Sequence, residues 1–145
     1  MPVETVGTAR AAAARAAIVV LATWSRRPLI HAADLRPGTH FTALGADEPG
    51  KIELAGDVLR AARTVDDDIG LSLDAGALAA AGLRADAVHA TMGEILRGER
   101  PGRVRADEIT VYAPVGLPWQ DLALAWPVYR AAVAAGAGVE IDFLS

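Results

Sequence analysis

The sequence predicts an α/β fold with a parallel sheet. Short apolar, β-branched runs alternate with alanine-rich stretches of helical spacing, the order that successive βαβ units produce. The run Ile18-Val19-Val20-Leu21-Ala22 is continuously apolar, as a parallel strand covered on both faces is. Taken in order, residues 3–6 read as a short strand, and residues 8–17 as a helix with Arg10 and Arg15 on its polar side. The strand at 18–22 is closed by Thr23, Trp24 and Ser25. Pro28 and Pro37-Gly38 bound a segment that reads as irregular, since proline withdraws a backbone donor. Residues 39–44 form the next strand, which runs into a loop holding Asp47, Pro49, Gly50 and Lys51. A helix over 54–62 turns Val58, Leu59 and Ala62 inward, and a strand over 64–67 leads into Asp66-Asp67-Asp68.

Asp74 has the side-chain acceptor to start a helix that Gly82 would stop. Thr91-Met92-Gly93-Glu94 has the spacing of a capping box, with Gly98 ending its helix. Residues 109–112 are the last clear strand. Trp119, Leu122, Trp126, Tyr129 and Val133 then recur on one helical face, with Pro127 placed to kink the helix. Asp121 reads as its first-turn cap. Residues 139–143 read as a terminal extended segment.

With 145 residues the chain is long enough for one domain with a core, and no linker or repeat divides it. Its longest aliphatic run, residues 16–22, falls far short of the ~20 residues a spanning helix needs, so no membrane partner is expected. No secretory leader is visible at the start, and a cytoplasmic location is the expectation. The absence of cysteine excludes disulfides and thiol chemistry. A net charge of −4 without a basic cluster argues against nucleic acid. His31, His40 and His89 have no helical-spacing partners, and consecutive aspartates on a strand point to opposite faces, so no metal site is expected.

Four segments carry a resemblance. GADEPGK (45–51), DEITVYAPVGLPWQDLA (107–123), ATWS (22–25) and ERPGR (99–103) occur in the order in which the ornithine cyclodeaminase family carries similar ones. That family also includes mu-crystallins, several alanine dehydrogenases and ketimine reductases. The resemblance implies a Rossmann-like domain binding NAD or NADP. Residues 1–145 would then be a single truncated domain, lacking the first βαβ unit and the N-terminal dimerisation domain. No GxGxxG phosphate-binding turn occurs in the sequence. An orphaned inner edge at 18–22 would then favour self-association, as a homo-oligomer or with a complementing N-terminal half.

In an open α/β sheet ligands bind at the carboxyl ends of the strands, which puts Asp47 and Lys51 at the reacting edge. From the residues alone, Asp47 is also an ordinary turn residue and Lys51 an ordinary loop lysine. Lys51 is, however, the only lysine in the chain. The resemblance makes Asp47 the acid-base group beside the substrate amine. It makes Lys51, Thr23 and the backbone of Phe41, Thr42, Ala43 and Leu44 contacts to the cofactor. Pro114 stands where the family has a cofactor-binding serine, and offers neither a hydroxyl nor an amide donor. Val115 would touch substrate. Trp24 reads as a lid on its loop. The activity implied is NAD(P)-dependent chemistry on a small amino acid or cyclic imine. Hydride leaves the α-carbon, and the imine is closed by a side-chain amine with loss of ammonia (ornithine to proline) or hydrolysed; ketimine reduction is the reverse. The competing expectation is a non-catalytic remnant, or a ligand-binding or interaction module of the mu-crystallin type.

Overall fold

A computed structural model describes residues 3–143. The chain divides into two units, Met1–Val115 and Gly116–Ser145.

The first unit is built on a five-stranded, all-parallel sheet. Its strands are β1 (Ile18–Leu21), β3 (His40–Ala43), β5 (Arg63–Asp66), β6 (Ala90–Thr91) and β7 (Thr110–Tyr112). They lie in the order β1-β3-β7-β5-β6. Val19 pairs with Phe41 and Phe41 with Val111, so the apolar residues of three strands come into one row. Val19, Leu21, Phe41, Ala43, Val111 and Ala113 face one buried layer. Against it pack Val58, Leu59 and Ala62, at and just after α2 (Gly56–Ala61). A separate two-stranded parallel ladder joins β2 (Arg26–Ile30) to β4 (Ile52–Leu54).

Several expectations need correction. Residues 3–6 form no strand. The first helix is shorter than expected: α1 (Ala9–Ala13) is capped by the Thr8 hydroxyl, which accepts from the Ala11 amide. The strand β1 is buried on one face only; Ile18 and Val20 are exposed, because no element among the described residues covers them. The segment from Pro28 is irregular only beyond Ile30, since β2 runs through this proline. It tolerates the missing donor because the ladder registers only at Arg26 and Ile30 and is irregular between them.

Asp74 does not start a helix; it ends α3 (Ile69–Asp74), and Asp68 is the cap, accepting from the Leu71 amide at 2.9 Å. A separate helix, α4 (Ala77–Ala81), stops at Gly82, whose φ of +62° suits glycine. The capping box is present at the start of α5 (Met92–Leu96): the Glu94 amide donates to Thr91 Oγ1 and the Thr91 amide to Glu94 Oε2.

In the second unit α6 (Pro118–Ala134) contains Pro127 and has Asp121 in its first turn. The helix buries none of its residues. Residues 139–143 form no strand.

Candidate functional site

Because all five strands are parallel, their carboxyl ends share one rim, where loop residues are free of ladder duties. β1 leads to Thr23, β3 leads into Gly45–Lys51 and β7 leads to Pro114 and Val115. These strands are neighbours, so their ends are spaced by ~5 Å each.

In the loop after β3, Lys51 Nζ donates to Asp47 Oδ1 at 2.9 Å and lies 3.4 Å from Glu48 Oε1. The Trp24 ring covers the same ammonium, with its centroid 4.1 Å away, a cation–π contact. The Lys51 side chain is only 7% exposed, whereas that of Asp47 is 46% exposed. Asp47 therefore reaches solvent while Lys51 stands behind it. The hydrogen bond to Asp47 raises the Lys51 pKa, and the charges of Asp47 and Glu48 add to this against the cost of burial. Lys51 is thus a fixed cation, and not a free amine for nucleophilic attack.

Sequence reasoning missed Glu53. It is fully buried in β4, and its carboxylate accepts from the Thr23 amide (2.7 Å), the Thr23 hydroxyl (2.8 Å) and the Gly45 amide (2.7 Å). The Thr23 hydroxyl is accordingly engaged inside the protein; it also accepts from the Ser25 amide. The signal was a lone carboxylate between Ile52 and Leu54, where a surface glutamate would have polar neighbours.

The other expected positions separate by face. Phe41 and Ala43 point into the core, so only their backbone is available to a ligand. Thr42 turns to the opposite face, where its hydroxyl meets His40 Nε2 at 3.2 Å. Leu44 is exposed, and its amide donates to the Leu21 carbonyl. Pro114 is buried. Val115 is half-buried; its amide donates to Asp67 Oδ1 at 2.9 Å. Asp67 Oδ1 also accepts from the Asp68 amide.

Asp66, at the end of β5, is fully buried, and its Oδ2 has no hydrogen-bond partner. Burial, helped by Asp67 and opposed by the Ser72 hydrogen bond, pushes its pKa up to about 7. His40 is satisfied between Thr110 Oγ1 and Thr42 Oγ1, and burial, then Arg103, lowers its pKa. Among the described residues no three His, Asp or Glu side chains are grouped to hold a metal, and no helix is long and apolar enough to cross a membrane.

This rim of strand ends is found in known proteins. The sequence profile of the ornithine cyclodeaminase/mu-crystallin family matches residues 1–136. The chain belongs to this family. An alanine dehydrogenase of Archaeoglobus fulgidus is 38% identical over 135 residues, which cover 90% of this chain and 42% of that protein. The solved structure of an archaeal alanine dehydrogenase dimer with bound NAD superposes with a TM-score of 0.87 at 37% identity, over 97% of this chain and 45% of that one. Delta(1)-pyrroline-2-carboxylate reductase of Thermococcus litoralis, in complex with NADH and L-proline, gives 0.85 at 27% identity, over 94% and 44%. The chain thus spans less than half the length of these relatives.

Proposed function

We propose that this chain carries one side of a nicotinamide-dependent site that interconverts a small α-amino acid and its imine, with Asp47 as the acid-base group. The observation that carries this reading is the Asp47 carboxylate, half-exposed at the carboxyl rim and held 2.9 Å from a buried ammonium. The relatives support it: one is an alanine dehydrogenase and another was solved with NADH and L-proline.

The residues present fit part of a dinucleotide. Lys51 supplies a permanent positive charge for ribose or phosphate oxygens, whereas the Thr23 amide and hydroxyl are held by Glu53. Pro114 contributes only its carbonyl there, while Val115 stands one residue on as an apolar wall toward substrate. The glycine-rich turn that cradles a pyrophosphate does not occur among the 145 residues. A nicotinamide bound there supplies hydride transfer at the substrate's α-carbon.

Asp47 takes the proton from the substrate ammonium, or from an attacking water, and returns it in the reverse direction. Such a group contributes ~10² to 10⁴ in rate. Lys51 fixes the carboxylate's orientation, and Trp24 shields the ammonium on its open side.

A ligand-binding module without turnover is the second reading, favoured by the Thr23 and Gly45 amides being held by Glu53 and the Lys51 ammonium by Asp47. Titration of NADH fluorescence with the full chain separates the two. Binding is expected, weakened about tenfold in Lys51→Ala, an effect of ~1.4 kcal/mol. Asp47→Asn is expected to retain NADH affinity and to lose ~10² to 10⁴ in turnover of L-alanine, L-ornithine or a pyrroline carboxylate. An unchanged NADH signal up to millimolar protein overturns the catalytic reading.

A further inference from the structure

We infer that Glu53 is the positioning residue of this site: one buried carboxylate clamps the ends of β1 and β3 and so sets where Asp47, Lys51 and Trp24 stand. This rests on the function proposed above for the Asp47–Lys51 pair.

Three observations converge. First, Glu53 is completely buried, and all three of its hydrogen bonds come from donors: the Thr23 amide and hydroxyl, and the Gly45 amide. A carboxylate accepts at both oxygens, whereas glutamine would turn an NH₂ toward one of these donors. Second, the two strand ends are drawn together more tightly than a side chain permits. A Cβ on Gly45 would lie 2.2 Å from the Thr23 carbonyl oxygen and 2.5 Å from Glu53 Oε1. Third, the clamp grips both feet of the loop that carries the chemistry. Gly45 lies two residues before Asp47 and Glu53 two residues after Lys51, and the Gly45–Glu53 hydrogen bond closes the loop on itself. The other bonds of the same carboxylate fix Thr23, whose neighbour Trp24 covers Lys51. Asp47 and Trp24 are thereby tethered within two residues of a partner of the Glu53 carboxylate, and Glu48 within three.

The test uses the full chain labelled with ¹⁵N, as wild type, Glu53→Gln and Thr23→Val, the second removing the hydroxyl that donates to Glu53 and accepts from the Ser25 amide. The readouts are the melting transition, the Trp24 indole resonance (assigned through Trp24→Phe), the Lys51 ammonium titration and NADH affinity. Glu53→Gln is expected to melt cooperatively while the Trp24 resonance shifts. The Lys51 pKa should fall back toward its ordinary value, since its hold on Asp47 is what raises it. NADH affinity should fall toward the tenfold loss expected of Lys51→Ala. Thr23→Val should move the same readouts in the same direction by less.

A folded Glu53→Gln with the Trp24 resonance and the Lys51 titration of the wild type overturns the inference. If Glu53→Gln fails to fold, an unmoved Lys51 titration in Thr23→Val overturns it equally. A wild type that ignores NADH, yet whose Lys51 titration responds to Glu53→Gln, refutes the proposed function and upholds the clamp.

Discussion

Asp66 is a carboxyl group whose burial raises its pKa to about 7, so that it keeps part of its proton at neutrality. It faces Asp67 and Ser72, and burial followed by the charges of Asp67 and Asp66 also raises the pKa of Tyr112. With a folded pKa of about 7 against an ordinary value of 3.8, the native state holds a proton that the unfolded chain releases. Stability therefore declines as pH rises through this window, and the full penalty is present above it. Asp66→Asn, which needs no proton, should be more stable than wild type by about 2–4 kcal/mol at pH 8 and should lose that advantage near pH 4. Paired urea melts at the two pH values check this; an equal difference at both would assign the effect elsewhere. At this scale the site was half legible. Asp47 and Lys51 stand out as a carboxylate and the sole lysine in a loop after a strand. Glu53 was hidden because adjacency in sequence says nothing of Thr23, which is 30 residues away. The engagement of the Thr23 hydroxyl was hidden with it.

Among the elements, local chemistry wrote its own boundaries wherever the partners are near in sequence. Thr91 and Glu94 satisfy each other's amides, and α5 starts there as their spacing predicts. Thr91→Ala removes one half of that exchange. It should cost about 1 kcal/mol, read as a lowered urea midpoint with an unchanged m-value. Elements set by distant partners were less legible. Pro28 reads as a breaker, yet β2 exists because β4 accepts it in a two-stranded ladder whose register skips the proline. The helix read from Asp74 to Gly82 is instead the end of α3 and the whole of α4, parted at Gly76, where a Cβ would meet Val115 Cγ2 at 2.6 Å and Ser72 Cα at 2.8 Å.

For the whole molecule, the decisive feature is the outer side of β1. The parallel sheet was foreseeable from the β-branched runs, but both faces of residues 18–22 were expected to be covered, and Ile18 and Val20 are 68% and 61% exposed. An apolar edge of this kind recruits a further strand. At micromolar concentration the chain should therefore scatter light as a dimer or larger species, and Val20→Lys should shift it toward monomer. A wild type that is monomeric and melts in one cooperative step would show that the edge is harmless.

The solitary lysine has a practical corollary. An endoproteinase that cleaves only after lysine finds a single target in this polypeptide, the Lys51–Ile52 bond, and its recognition residue is walled in by an indole and two carboxylates. Cutting at that bond requires the rim to come apart, so the rate at which two fragments accumulate is a direct clock for how often it does.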